Sequence, residues 1–113
     1  MNTKFYHYSQ NNSGGFFDED ETRGICNDVI IEAKNAQEAN LIAHSIGIYF
    51  NGCENGCDCP CCGDRWSEVG EWQGEDYPHI FSTKLEDCTK GWSRYYCFVH
   101  YLNGQIKKVV FND

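Results

Sequence analysis

Five cysteines fall within ten positions of one short stretch, NGCENGCDCPCCGDRW: Cys53, Cys57, Cys59, Cys61 and Cys62. Thiolates at this density can hold a metal, form disulfides or do thiol chemistry. CPCCG, residues 59–63, has the form of a zinc knuckle: two cysteines three apart, then a glycine that lets the chain curl close to an ion. Cys53 and Cys57 with Cys59 and Cys62 would complete a tetrahedral set, although paired zinc motifs more often place roughly a dozen residues between their halves. One ligand from outside is therefore a second arrangement, with Cys26, Cys88, Cys97 or a histidine as its source. The vicinal pair Cys61-Cys62 is badly placed for an ordinary disulfide, which needs more reach between Cα atoms. A structural zinc site is the expected chemistry, with free buried thiols and disulfides behind it.

Catalytic versions of the loop fare worse. No H-x-E occurs and no cysteine stands at position 64, so the zinc-deaminase pattern is missing. CPCC follows a Gly/Asn-rich loop instead of opening a helix after a strand, which argues against thioredoxin-like chemistry. A thiol- or metal-dependent enzyme is kept only as an alternative, because no set of residues forms a recognisable catalytic constellation. Arg65 and Trp66 follow the knuckle. Both types are enriched at binding hot spots, although Trp66 is better read as covering the metal site or entering the core.

A second polar stretch, YHYSQNNSGG, offers Asn11, Asn12 and Ser13 as donors and acceptors beside two glycines that permit close backbone approach. It could seat a small ligand or nucleotide against Tyr6 or Tyr8. The plainer reading is a turn held by its own Asx hydrogen bonds.

These loops need a frame. KFYHY, residues 4–8, reads as a strand and DVIIEA, residues 28–33, as a buried one. KNAQEANLIAHSIG predicts a helix with Asn35 as N-cap, Glu38 completing a capping box, an apolar stripe of Ala36, Ala39, Ile42, Ala43 and Ile46, and Gly47 as left-handed stop. His44, on this helix, is expected at the surface. IYF, residues 48–50, RWSEVGEW, residues 65–72, and HIFST, residues 79–83, are further strand candidates. SRYYCFVHYL, Asn103-Gly104 and QIKKVVF predict a β-hairpin with a type I′ turn, its first strand covered on both sides. The sum is one α+β domain over residues 1–113, with a small antiparallel sheet, one main helix, a metal-stapled cysteine-rich loop and a C-terminal hairpin.

Net charge limits partners. The chain carries 17 acidic and 9 basic residues, a formal charge of −8, without a basic patch. Nucleic acid is therefore disfavoured, and a protein with a basic surface is the better match. The first residues lack an apolar signal region and no run is long enough to span a membrane, so a reducing cytoplasm is expected.

The chain resembles small tailed-bacteriophage proteins of no assigned activity. The resemblance rests on FYHYSQNNSGGFF, VIIEAKNAQEAN, GIYFNG, DCPCCGDRW and VHYLNG, and is weakest over residues 67–93. It implies an accessory phage protein made in the bacterial cytoplasm that binds a host or phage protein, in host takeover or counter-defence. In that group the motif begins at Asp58, which makes Cys59, Cys61 and Cys62 its core thiols.

Overall fold

Alternation in the first strand, β1 (Lys4–Ser9), sends Tyr6 and Tyr8 to one face and Phe5 and His7 to the other. Its neighbour β2 (Asp28–Ala33) divides likewise: Val29, Ile31 and Ala33 join the tyrosines, while Ile30 faces the opposite way. Two cores follow, one on each side of the sheet. The computed structural model describes residues 3–11, 17–58, 63–81, 83–90 and 95–111.

Helix α1 (Ala36–Ile46) covers the first core. The Asn35 side chain accepts the Glu38 N–H at 2.8 Å, and the Glu38 carboxylate reaches back to the Lys34 N–H at 2.9 Å. Gly47 stops the helix at φ 111°, while Ile48 N–H returns to the Ala43 carbonyl at 3.0 Å. The buried stripe is alanine: Ala36, Ala39 and Ala43. Small side chains let the helix lie close to the tyrosines and valines beneath it. His44 is exposed, as expected.

The short hairpin β3 (His79–Ile80) and β4 (Thr83–Lys84) lies on the second face, where Ile80 packs with Ile30, Cys97, Val99 and Phe111. The last pair, β5 (Tyr96–His100) and β6 (Ile106–Val110), completes a four-stranded sheet in the order β1-β2-β5-β6. β1 and β6 pair antiparallel to their neighbours, but β2 and β5 run parallel, with Val29 opposite Phe98. The sheet is thus mixed, not the antiparallel one expected. A parallel pair needs a long crossover, and the chain between β2 and β5 carries α1, the cysteine-rich loop and the β3–β4 hairpin. As its sequence predicted, β5 is buried on both sides.

Three local expectations change. Residues 48–50 form no strand; Ile48 enters the core and Asn51, at φ 58°, turns the chain away. Residues 65–70 are irregular and lead into a 3₁₀ turn at Glu71–Gln73. The C-terminal hairpin does not use a type I′ turn. Only Gly104, at φ 94°, is left-handed there, and its N–H bonds to the Tyr101 carbonyl at 2.9 Å. That pattern is a longer connection closed by a left-handed glycine. Among the described residues no helix is long and apolar enough to cross a membrane.

Burial of His100 makes stability depend on pH. Its Nε2–H donates to the Gly24 carbonyl at 2.8 Å, and burial holds its pKa below the ordinary 6.5 despite that bond. The unfolded chain therefore takes up a proton near pH 6.5 that the folded chain refuses. Stability is expected to fall as pH drops below about 6.5. Thermal unfolding of the parent and of His100→Gln between neutral and mildly acidic pH checks this: the slope should be shallower in the variant.

Candidate functional site

The two motif-bearing loops are bound to one another at their bases. The Asn11 N–H donates to the Arg65 carbonyl at 2.8 Å, and Asn11 Nδ2 reaches the Asp64 carbonyl at 3.4 Å. The polar stretch after β1 and the end of the cysteine loop are thus neighbours, although more than fifty residues of sequence separate them.

Arg65 is the junction. Its side chain is only 3% exposed, and it lies against the Asp58 carboxylate, which is fully buried, at 3.7 Å. A second carboxylate, Asp18, approaches Nε at 3.6 Å from the more exposed side. Nε donates to the Tyr49 hydroxyl at 3.1 Å and Nη1 to Gln10 Oε1 at 3.2 Å. The Tyr49 hydroxyl donates to Asp58 Oδ1 at 2.7 Å, and the Arg65 backbone N–H donates to Asp58 Oδ2 at 2.8 Å. Burial, then the bond to Asp58, pushes the Tyr49 phenol up to about 12. Gln10 spends its whole hydrogen-bonding capacity here: Oε1 accepts from Asp18 N–H and Arg65, and Nε2 donates to the Asp18 and Cys26 carbonyls. Gly52 completes the packing, since a Cβ there would sit 1.8 Å from Asp58 Oδ2.

The network pins the cysteine loop at both ends. Asp64 Oδ1 accepts the Cys53 N–H at 3.0 Å, which brings the first loop cysteine beside the residue that follows the knuckle glycine. Between them, Asn55 N–H bonds to Asn51 O at 3.1 Å and Cys57 N–H to Gly52 O at 2.8 Å, so Cys53 and Cys57 belong to one tight turn. Cys57 is exposed. Cys59, Cys61 and Cys62 lie outside the described residues, as do Asn12 and Ser13. Among the described residues no group of three or more His, Cys, Asp or Glu side chains is arranged to hold a metal.

Of the outside candidates, Cys97 is buried in β5 and Cys26 in the bend that precedes β2. Burial raises the Cys26 thiol to about 11 and the Cys97 thiol further still. Cys26 also donates to the Asp28 carbonyl at 3.1 Å. Cys88 packs at the edge of the second core, its thiol on the Lys84 carbonyl at 3.4 Å.

Arg65 and Trp66 are both inside: Trp66, 1% exposed, fills the first core, and Arg65 holds the loops together instead of offering a surface contact. The sequence reading missed Asp58, Tyr49, Gln10 and Asp18. The available signal was an arginine next to a buried-type tryptophan, with a carboxylate between two cysteines to pair with it.

A family model described as a domain of unknown function, DUF7296, matches residues 3–113. Comparisons with curated proteins and with solved structures return no match.

Proposed function

The chain belongs to the DUF7296 family, and from that premise we propose that it is a small binding module whose cysteine loop is closed by a structural zinc ion. The carrying observation is the pinned loop base: Asp58, Asp64 and Arg65 fix both ends of a segment with five cysteines in ten positions. Cys53 and Cys57, on one turn, would supply two thiolates, and two of Cys59, Cys61 and Cys62 the other two of a tetrahedral set. When bound, such an ion contributes coordinate bonds that hold the loop to one shape. The chain's own part is to aim the thiolates and anchor the turn. The buried, raised thiols of Cys26 and Cys97 favour a ligand set drawn from the loop alone.

The module's partner, in this reading, is a host or phage protein with a basic surface, met in the bacterial cytoplasm. Support comes from the acidic balance of the chain and from its resemblance to tailed-bacteriophage proteins. Counter-defence or host takeover is the biological role that resemblance supplies. A small-ligand role for the QNNSGG loop is the second reading, favoured by the bonds of Gln10 and Asn11 to Arg65.

Native mass spectrometry on protein purified without added metal tests the staple. The expected result is one zinc per chain, removed by chelator together with loop order. Alkylation adds a residue-level readout. Cys26 and Cys97 should resist with or without chelator, because burial protects them. Four of the five loop cysteines should react only after chelation. A metal-free mass with loop thiols reactive from the start would remove the zinc reading and raise thiol chemistry in its place.

A further inference from the structure

A second site lies along β1, taking His7 from one face of the strand and Tyr8 from the other. Its cleft, of about 410 Å³, is lined by His7, Glu68, Trp72, Glu75, His79 and Phe81 among others. Trp72 is 84% exposed, yet its turn is rigidly held. The Glu71 carboxylate takes the Ala36 N–H at the start of α1 and the Tyr6 hydroxyl. Gln73 closes the turn onto the Gly70 N–H at 2.8 Å, and the indole edge rests on Gly70, where a Cβ would meet Nε1 at 2.8 Å. A large aromatic fixed in place and left in water is a binding feature before it is a packing one.

Phe81 stands across the cleft. Its backbone is left-handed, φ 47°, a conformation that is strained for a non-glycine residue. His7 holds it there, with Nδ1 accepting the Phe81 N–H at 3.3 Å and Nε2–H donating to the buried Asp28 at 2.7 Å. His79 has the opposite tautomer: Nδ1–H donates to the Tyr77 carbonyl at 3.1 Å, which leaves the Nε2 lone pair without a protein donor. The ring is 3% exposed, and no buried side-chain nitrogen or oxygen among the described residues lacks a partner, so Nε2 opens onto the cleft. Glu68 and Glu75 take part in no ion pair among the described residues, and no lysine or arginine lines this wall.

The cleft is thus acceptor-rich, negative and aromatic. We infer that it receives the guanidinium of an arginine from a basic protein segment, stacked on Trp72 and hydrogen-bonded to Glu68 and to His79 Nε2. Arginine fits better than lysine, because a planar cation can stack on the indole while its N–H fork serves two acceptors. The inference rests on the binding-module reading but not on the metal.

The test is fluorescence anisotropy of a labelled arginine–glycine peptide with the full chain as purified, beside the same peptide carrying citrulline. Binding should be lost with citrulline, and weaken roughly tenfold in Trp72→Ala and Glu68→Gln, both surface changes that leave the unfolding midpoint in place. Phe81→Asn, which suits the left-handed turn, should keep stability and weaken binding too. Glu86→Gln, an exposed carboxylate outside the cleft, should leave affinity unchanged. Equal binding of the citrulline peptide, or equal losses in Glu86→Gln and Glu68→Gln, would overturn the site in favour of diffuse attraction. Loss of the cleft inference with zinc retained would leave the stapled module standing.

Discussion

Asp58→Ala is expected to lower the unfolding free energy by about 3–5 kcal/mol, the range for breaking a buried ion pair from one side. The change strips the Arg65 guanidinium of its fully buried carboxylate partner, while Asp18, whose side chain is 45% exposed, is better screened. It also orphans the Tyr49 hydroxyl and the Arg65 backbone N–H, each of which now donates to Asp58. Urea unfolding measures the loss. Asp58→Asn should fall between parent and alanine, because one oxygen still accepts while the charge is gone. A spectroscopic signature separates this from simple cavity formation. The Tyr49 phenol stands near 12 partly through its bond to Asp58, so its titration in the still-folded variant should move down toward the ordinary tyrosine value of 10. A loss under 1 kcal/mol would mean that water enters and replaces the carboxylate.

That network shows what the sequence could and could not disclose. Helix α1 was legible in detail because its determinants are local: Asn35, Glu38, the alanine stripe and Gly47 lie within a few turns of each other. The burial of β5 was legible from apolar residues on both of its faces. The parallel pairing of β2 with β5 was not, since nothing in either strand encodes which way a distant segment will arrive. The convergence of the two loops was hidden for the same reason. Arg65 beside Trp66 has the composition of a hot spot, and only the depth of Asp58 turns it inward. The cleft was missed because its parts are scattered. Trp72 and Phe81 read as strand residues until the irregular backbone at 65–70 and the tight turn at Phe81 put both on the surface.

The loop junction and the cleft share one supporting segment, residues 65–74, which follows the knuckle and carries Trp72. This segment has no strand partner of its own for most of its length; side chains do that work. Arg65 fixes its start and Glu71 its end. A zinc-closed loop would therefore stiffen the entry to the cleft wall, which is a physical route by which a staple in one loop could serve binding at another.

Asn40 fixes the middle of that segment, and Asn40→Ala should cost about 3 kcal/mol, since removing one partner leaves several polar groups unmatched. Its Oδ1 accepts from the Tyr8 hydroxyl at 2.7 Å and from the Val69 N–H at 3.0 Å, while Nδ2 donates to the Val69 carbonyl at 3.1 Å. The side chain thus stands in for a neighbouring strand. Tyr8 is 1% exposed, and burial already pushes its phenol well above the usual tyrosine range, so its hydroxyl has little access to water when Asn40 is gone. Tyr8→Phe alone should cost about 1 kcal/mol. Added to Asn40→Ala, it should cost almost nothing further, because the orphaned hydroxyl leaves with it. Urea unfolding of the four proteins measures this coupling, expected at about 1 kcal/mol. Additive losses would show instead that the hydroxyl finds another partner. In that case Asn40 acts only through Val69, and the cleft wall rather than the core bears the loss, which would appear as weaker peptide binding in Asn40→Ala but not in Tyr8→Phe.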